Sequence, residues 1–182
     1  MQMYFLKLTI FLSLIPFFSF CQLDCNSNNI DANNICRVLY STAASPNAAT
    51  NFEDFLVNLI KGETSYSERE KAEIVSVFFN KNNSCLICGD DSDVNIRENE
   101  HLLKRSISSN GYQFLEKVVT SEYYNFDFNY YEIVDGEKET ILDFLDKILS
   151  DETLLQGYSK GNLEELIIYI EDAGGKRANE LK

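Results

Sequence analysis

Residues 98–122 read ENEHLLKRSISSNGYQFLEKVVTSE. Leu102, Leu103 and Ile107 fall on one face of a helix, Asn110-Gly111 breaks the chain, and Phe114, Leu115, Val118 and Val119 repeat the apolar spacing beyond the break. Two amphipathic helices joined by a tight break predict an antiparallel pair. Neither member can bury its stripe alone, so the pair needs neighbours.

Those neighbours are written on both sides. From near Asn51, residues Phe52, Phe55, Leu56, Leu59 and Ile60 form one stripe at i, i+3, i+4, i+7 and i+8, and Gly62 supplies the stop. A second helix follows Ser67, with Glu70 at capping-box spacing and Ala72, Val75, Phe78 and Phe79 on its inner face. Further on, Ile141, Leu142, Leu145, Ile148 and Leu149 mark a helix over Thr140–Leu149. Leu163, Leu166, Ile167 and Ile170 mark a last one before Gly174-Gly175. The expected fold is all-α: antiparallel helix pairs, roughly three to four of them, stacked into a solenoid over residues 51–182. A polar segment, residues 22–50, is expected to precede it.

The chain has 182 residues, 45% hydrophobic and 25% charged, enough for one packed domain and too apolar for disorder. Its 16 Lys+Arg face 29 Asp+Glu, a net charge of −13. That balance argues against nucleic acid or an anionic membrane surface, which need clustered cations, and points to a basic protein as partner.

Residues 1–21 read as a secretory signal peptide: Lys7, then the apolar run Leu8–Phe20, shorter than the ~20 residues of a membrane-spanning helix. Ser19 and Cys21 are the small residues expected before a cut between Cys21 and Gln22. A lipoprotein signal on Cys21 is disfavoured by the bulk of Phe20. Cleavage removes Lys7 and no acid, taking the net charge from −13 to −14, and leaves a periplasmic or secreted chain with no membrane insertion. A monomer is expected.

Cys25, Cys36, Cys85 and Cys88 remain, an even number in an oxidising compartment, and disulfides are expected among them. Local pairing would join Cys25 to Cys36 and Cys85 to Cys88. Cross pairing, which closes longer loops and is favoured on chain entropy, would tie the amino-terminal segment to the middle of the domain. A redox Cys-x-x-Cys fits poorly, because Cys85-Leu86-Ile87-Cys88 precedes an acidic loop that would raise a thiol pKa. The spacing of Cys25 and Cys36 is too wide for a zinc knuckle, and no metal is expected.

In the carboxy-terminal half, residues 90–182, the stretches Asp93-Val94-Asn95 and Phe126-Asp127-Phe128-Asn129 stand ahead of apolar helical stripes, and on them this half resembles the ankyrin-repeat family in degenerate form, where such a turn leads into a helix pair. Asp135-Gly136 followed by Thr140-Ile141-Leu142-Asp143 is similar to the start of a first helix, and Glu164–Lys176 to a terminal repeat. The break at Asn110-Gly111 matches the spacing between the two helices. Two residues are inserted between Gly136 and Thr140, Ile141 stands for Pro and Asp143 for His. Insertions at Tyr123–Tyr131 and Ser150–Lys160 lengthen the repeats beyond the usual ~33 residues. An unrelated helical repeat is the alternative. The resemblance implies a protein-binding function, with the inter-repeat turns as the finger side of the binding face.

The nine residues Tyr123–Tyr131 hold six aromatics. Phe126 and Phe128 are expected to pack between helix pairs. Tyr124, Tyr130 and Tyr131, with Glu132 and Asp135, are the candidate partner-binding residues, since tyrosine offers large area, few rotors and a polar tip. The sharper form of this reading is an inhibitor or immunity-type protein that masks a basic partner. The competing class is a hydrolase or metal-binding protein of the cell envelope, built on His101, the one histidine, with Glu98 and Glu100 beside it. No nucleophile spacing or phosphate loop accompanies His101, so no catalytic residue or cofactor is expected. Asp90, Asp91 and Asp93 lack the closing Glu of a calcium loop and read as a solvated rim, as do Glu164, Glu165, Glu171 and Asp172.

Overall fold

Ser67 accepts from the Glu70 amide while Glu70 Oε2 accepts from the Ser67 amide at 2.9 Å, and this reciprocal box starts the second member of the first long helix pair. That pair is α2 (Ala48–Lys61) and α3 (Glu68–Asn82). In a computed structural model, residues 31–43, 45–89, 100–108 and 112–182 are described. The signal segment, Cys25, the acidic run at Asp90 to Asp93, the Asp93-Val94-Asn95 turn and the Asn110-Gly111 break lie outside the described residues.

Helices dominate. Besides α2 and α3, the chain forms α1 (Ala32–Ala43), α4 (Leu102–Ser108), α5 (Gln113–Thr120), α6 (Ile141–Ser150), the short α7 (Glu152–Leu155) and α8 (Lys160–Asp172). Two small antiparallel sheets interrupt them: β1 (Ile87–Cys88) with β2 (Glu100–His101), and the hairpin β3 (Glu132–Val134) with β4 (Glu137–Glu139). The protein is thus mainly α. The segment 22–50, expected as a polar lead-in, carries α1 and the first turn of α2. Asparagines occupy the outer positions of α1, but Ile35, Cys36 and Leu39 are spaced at helical intervals and are buried.

α2 is the central helix, packing on α1, α3 and α5, while α5 and α6 both reach α8. Phe52 of α2 meets Phe114 of α5 edge-to-face with centroids 4.8 Å apart, and Phe79 of α3 stacks on Phe126 at 4.6 Å. Phe126 and Phe128 are buried, so the aromatic stretch is pinned rather than free. Its main chain is held by polar side chains one turn apart on α3. The Asn125 amide donates to Ser76 Oγ at 3.0 Å, the Asp127 amide to Asn80 Oδ1 at 2.8 Å, and Asn80 Nδ2 to the Asn125 carbonyl at 2.7 Å. An extended strip beside a helix keeps its backbone groups satisfied in this way.

The chain end is tied down as well. Arg177 pairs with Asp146 at 2.6 Å and Glu171 at 2.6 Å, and the Ala178 amide donates to Asp143 at 2.9 Å. Gly175 approaches α8 so closely that a Cβ there would lie 2.5 Å from Ile170 Cγ2, which leaves room for glycine alone.

Cys36 of α1 is bonded to Cys88 of β1, so the pairing runs across the chain and the local alternative does not form. Cys85 is also disulfide-bonded. These sulfurs are therefore not thiolate ligands for zinc. The Cys36–Cys88 link spans a sequence separation of 52, for which loop-closure entropy gives about 4 kcal/mol. Cys36→Ala plus Cys88→Ala is expected to lower unfolding free energy by about that amount in guanidinium titrations. A change below about 1 kcal/mol would show that the link does not constrain the unfolded chain.

Candidate functional site

The β3–β4 hairpin closes on Asp135-Gly136, with φ of 53° and 87°, the two positive values that a two-residue type I′ turn requires. Glu132 faces Glu139, Ile133 faces Lys138 and Val134 faces Glu137. Strand alternation then divides the hairpin into two faces. Ile133 and Lys138 share the outer one, with Ile133 64% exposed. Tyr131, 39% exposed, continues that face, and Lys138 Nζ lies 4.3 Å from its ring centroid.

The inner face holds a buried charge cluster. Lys104 of α4 reaches Glu132 Oε2 at 2.7 Å and Glu139 Oε1 at 3.0 Å, and it also donates to the Glu139 carbonyl at 2.9 Å. Its ammonium stands 5.9 Å from the Phe144 ring centroid. Glu132 Oε1 accepts the His101 amide at 2.8 Å. One cation thereby grips both strands of the hairpin. Removing one partner from such a buried set typically costs about 3–5 kcal/mol, because the remaining charge is left uncompensated.

His101 sits beneath this cluster, buried, with its ring 4.9 Å from Tyr130. Nδ1 accepts the Leu103 amide at 3.3 Å, which leaves the proton on Nε2. Burial, and then the charge of Lys104, push its pKa down to about 3, with the Asn83 main chain opposing. That shift favours the uncharged imidazole at neutral pH, and the bond from the Leu103 amide ties the ring to the start of α4.

The five candidate binding residues divide between inside and outside. Tyr124 turns inward: its hydroxyl donates to Glu53, its ring stands edge-on to Phe126 at 5.7 Å, and burial followed by the bond to Glu53 raises its pKa. Glu53 is itself buried and paired with Lys117 at 2.7 Å. Tyr130 is half-buried against His101, its phenol raised by burial and then by Glu132. Glu132 belongs to the Lys104 cluster. Of the five, only Tyr131 and Asp135 face outward. Ile133 and Lys104 were missed, although Asp-Gly flanked by alternating Glu, Ile, Val and Glu, Lys, Glu is a hairpin signal.

A second buried pair, Glu100 and Arg105, lies nearby, with Arg105 Nη2 donating to the Gly89 carbonyl at 3.3 Å. Among the described residues no group of three or more His, Cys, Asp or Glu is placed to hold a metal ion. A concavity of about 850 Å³ runs along the outer flank of α2 and α3 over Leu59, Ile74, Val77 and Phe78. It contains none of the candidate residues.

Because the folded His101 pKa lies below that of the unfolded chain, unfolding takes up a proton between pH 6.5 and about 3. Its contribution to stability is complete above pH 6.5 and declines as pH falls through that window. His101→Asn, which cannot titrate, is expected to show a shallower loss of stability than the wild type between pH 6.5 and 4.5 in urea melts. Parallel slopes for the two proteins would contradict a buried neutral imidazole.

No family model, no curated protein and no solved structure matches this chain.

Proposed function

We propose that this protein is an exported, non-enzymatic binding module, a degenerate ankyrin-like stack of helix pairs that docks a basic protein through the outer face of the β3–β4 hairpin. The observation that carries this reading is the two-faced hairpin: Glu132 and Glu139 are fastened inside on Lys104, while Tyr131 and Ile133 stand outside. A rigid strand pair that exposes an aromatic and a β-branched side chain is a low-entropy anchor for a partner. Asp135 and Glu137 flank it, and the acid surplus steers a cationic surface towards it. The disulfides belong with a periplasmic or secreted location, and among the described residues no helix is long and apolar enough to cross a membrane. Masking a basic toxin or enzyme is the role that fits an acidic module of this kind.

The hydrolase alternative would need His101 to act as a base from a buried position, where burial lowers its pKa.

Cell-envelope and secreted fractions passed over the immobilised protein should yield a basic protein whose retention falls as salt rises. Tyr131→Ala plus Ile133→Ala is expected to weaken that retention by about tenfold or more, the scale of a hot-spot pair. Leu59→Ala plus Val77→Ala, on the α2–α3 flank, should leave it unchanged. Capture that survives the hairpin variant but fails with the flank variant would move the interface to α2 and α3.

A further inference from the structure

A second concavity, about 550 Å³, opens where α5 and α8 end side by side. Val118, Val119 and Thr120 of the last turn of α5 form one wall, and Tyr169 and Asp172 of the last turn of α8 form another. Tyr124, Phe126 and Phe128 contribute aromatic surface. A helix end carries partial negative charge, because its last carbonyls have no amide partner further along the helix. In α5 the Ser121 amide returns to the Lys117 carbonyl at 3.2 Å, leaving the later carbonyls of that turn without a helical donor. In α8 the carbonyls of Tyr169, Ile170 and Glu171 are taken by the amides of Ala173, Gly175 and Gly174, so its contribution is the Asp172 carboxylate.

Of the residues lining the pocket, none is Lys or Arg. Of the cations close by along the chain, Lys117 is committed to Glu53 at 2.7 Å and Arg177 to Asp146 at 2.6 Å, while Lys176 is exposed. Tyr169 donates its hydroxyl to Glu165 at 2.6 Å, which adds another carboxylate behind the ring. A carboxylate, a carbonyl-bearing helix end and aromatic walls together favour one kind of group: flat, cationic and rich in donors. Guanidinium has that shape, with five N–H groups for oxygen acceptors and two faces that stack on rings.

We propose that this pocket receives an arginine side chain of the basic partner, its guanidinium bonded to Asp172 and the end of α5 and stacked against Tyr169. The proposal extends the docking reading by naming a specificity contact. It rests on that reading only for the source of the arginine, since the hairpin lies outside the pocket.

The probe is N-acetyl-arginine amide, titrated into the intact protein and followed by amide shifts in two-dimensional NMR. Saturable shifts are expected at residues 118–125 and 169–174, with a dissociation constant on the order of 1 mM for so small a ligand. Asp172→Asn is expected to weaken binding by about tenfold, the worth of one charge-assisted hydrogen bond. N-acetyl-citrulline amide, the neutral isostere, should produce no saturable shift. Tyr131→Ala plus Ile133→Ala should titrate as wild type, so failure of the pocket and failure of the hairpin are separable. Absence of localised shifts, or equal binding by citrulline or by Asp172→Asn, would overturn the assignment. Tighter binding of spermidine than of the arginine amide would also overturn it, marking a polyamine site instead.

Discussion

A single ammonium, that of Lys104, sits in the interior between two glutamates drawn from opposite strands of one hairpin. Burying three charges is costly, and the cost is met only when each finds close partners. Here the third donor contact to the Glu139 carbonyl and the His101 amide on Glu132 complete the set. The consequence is mechanical. A two-stranded ribbon of this length has little stability alone in water. Welded through Lys104 to α4, it becomes a fixed projection of the helical body, and its outer side chains acquire a defined position.

The same economy of charge runs through the molecule. Glu53, Glu100, Glu132 and Glu139 are all removed from the surface and matched by Lys117, Arg105 and Lys104. Several of the few cations are thus used internally. Four acids are matched by three cations, so the exterior keeps the acid surplus of the composition, and the pocket between α5 and α8 has no lysine or arginine in its lining.

Much of the architecture was legible because helices announce themselves locally. The Phe52 to Ile60 stripe, the Ser67 and Glu70 cap and the Ile141 to Leu149 stripe each lie in the helix expected of them. α1 was obscured by asparagines on its outer side, which lowered the local signal although Ile35, Cys36 and Leu39 kept the right spacing. The hairpin was obscured for a different reason: its strands are three residues long, too short for periodicity, and the Asp-Gly turn also fitted the start of a helix pair. Which tyrosines face outward could not be read at all. Tyr124 and Tyr131 belong to one run of similar residues, and their opposite fates are set by Glu53 and Lys138, distant in sequence for the first and paired across the hairpin for the second.

The direct test of the Lys104 weld is native-state hydrogen exchange on Lys104→Met, a change that keeps the length of the side chain and removes its charge. The amides of residues 132–134 and 137–139 should lose protection relative to wild type, while core amides of α2 and α3, such as those of Leu56 and Val75, keep theirs. Unchanged protection in the hairpin would contradict the account, since the ribbon would then be held by something other than the buried cation.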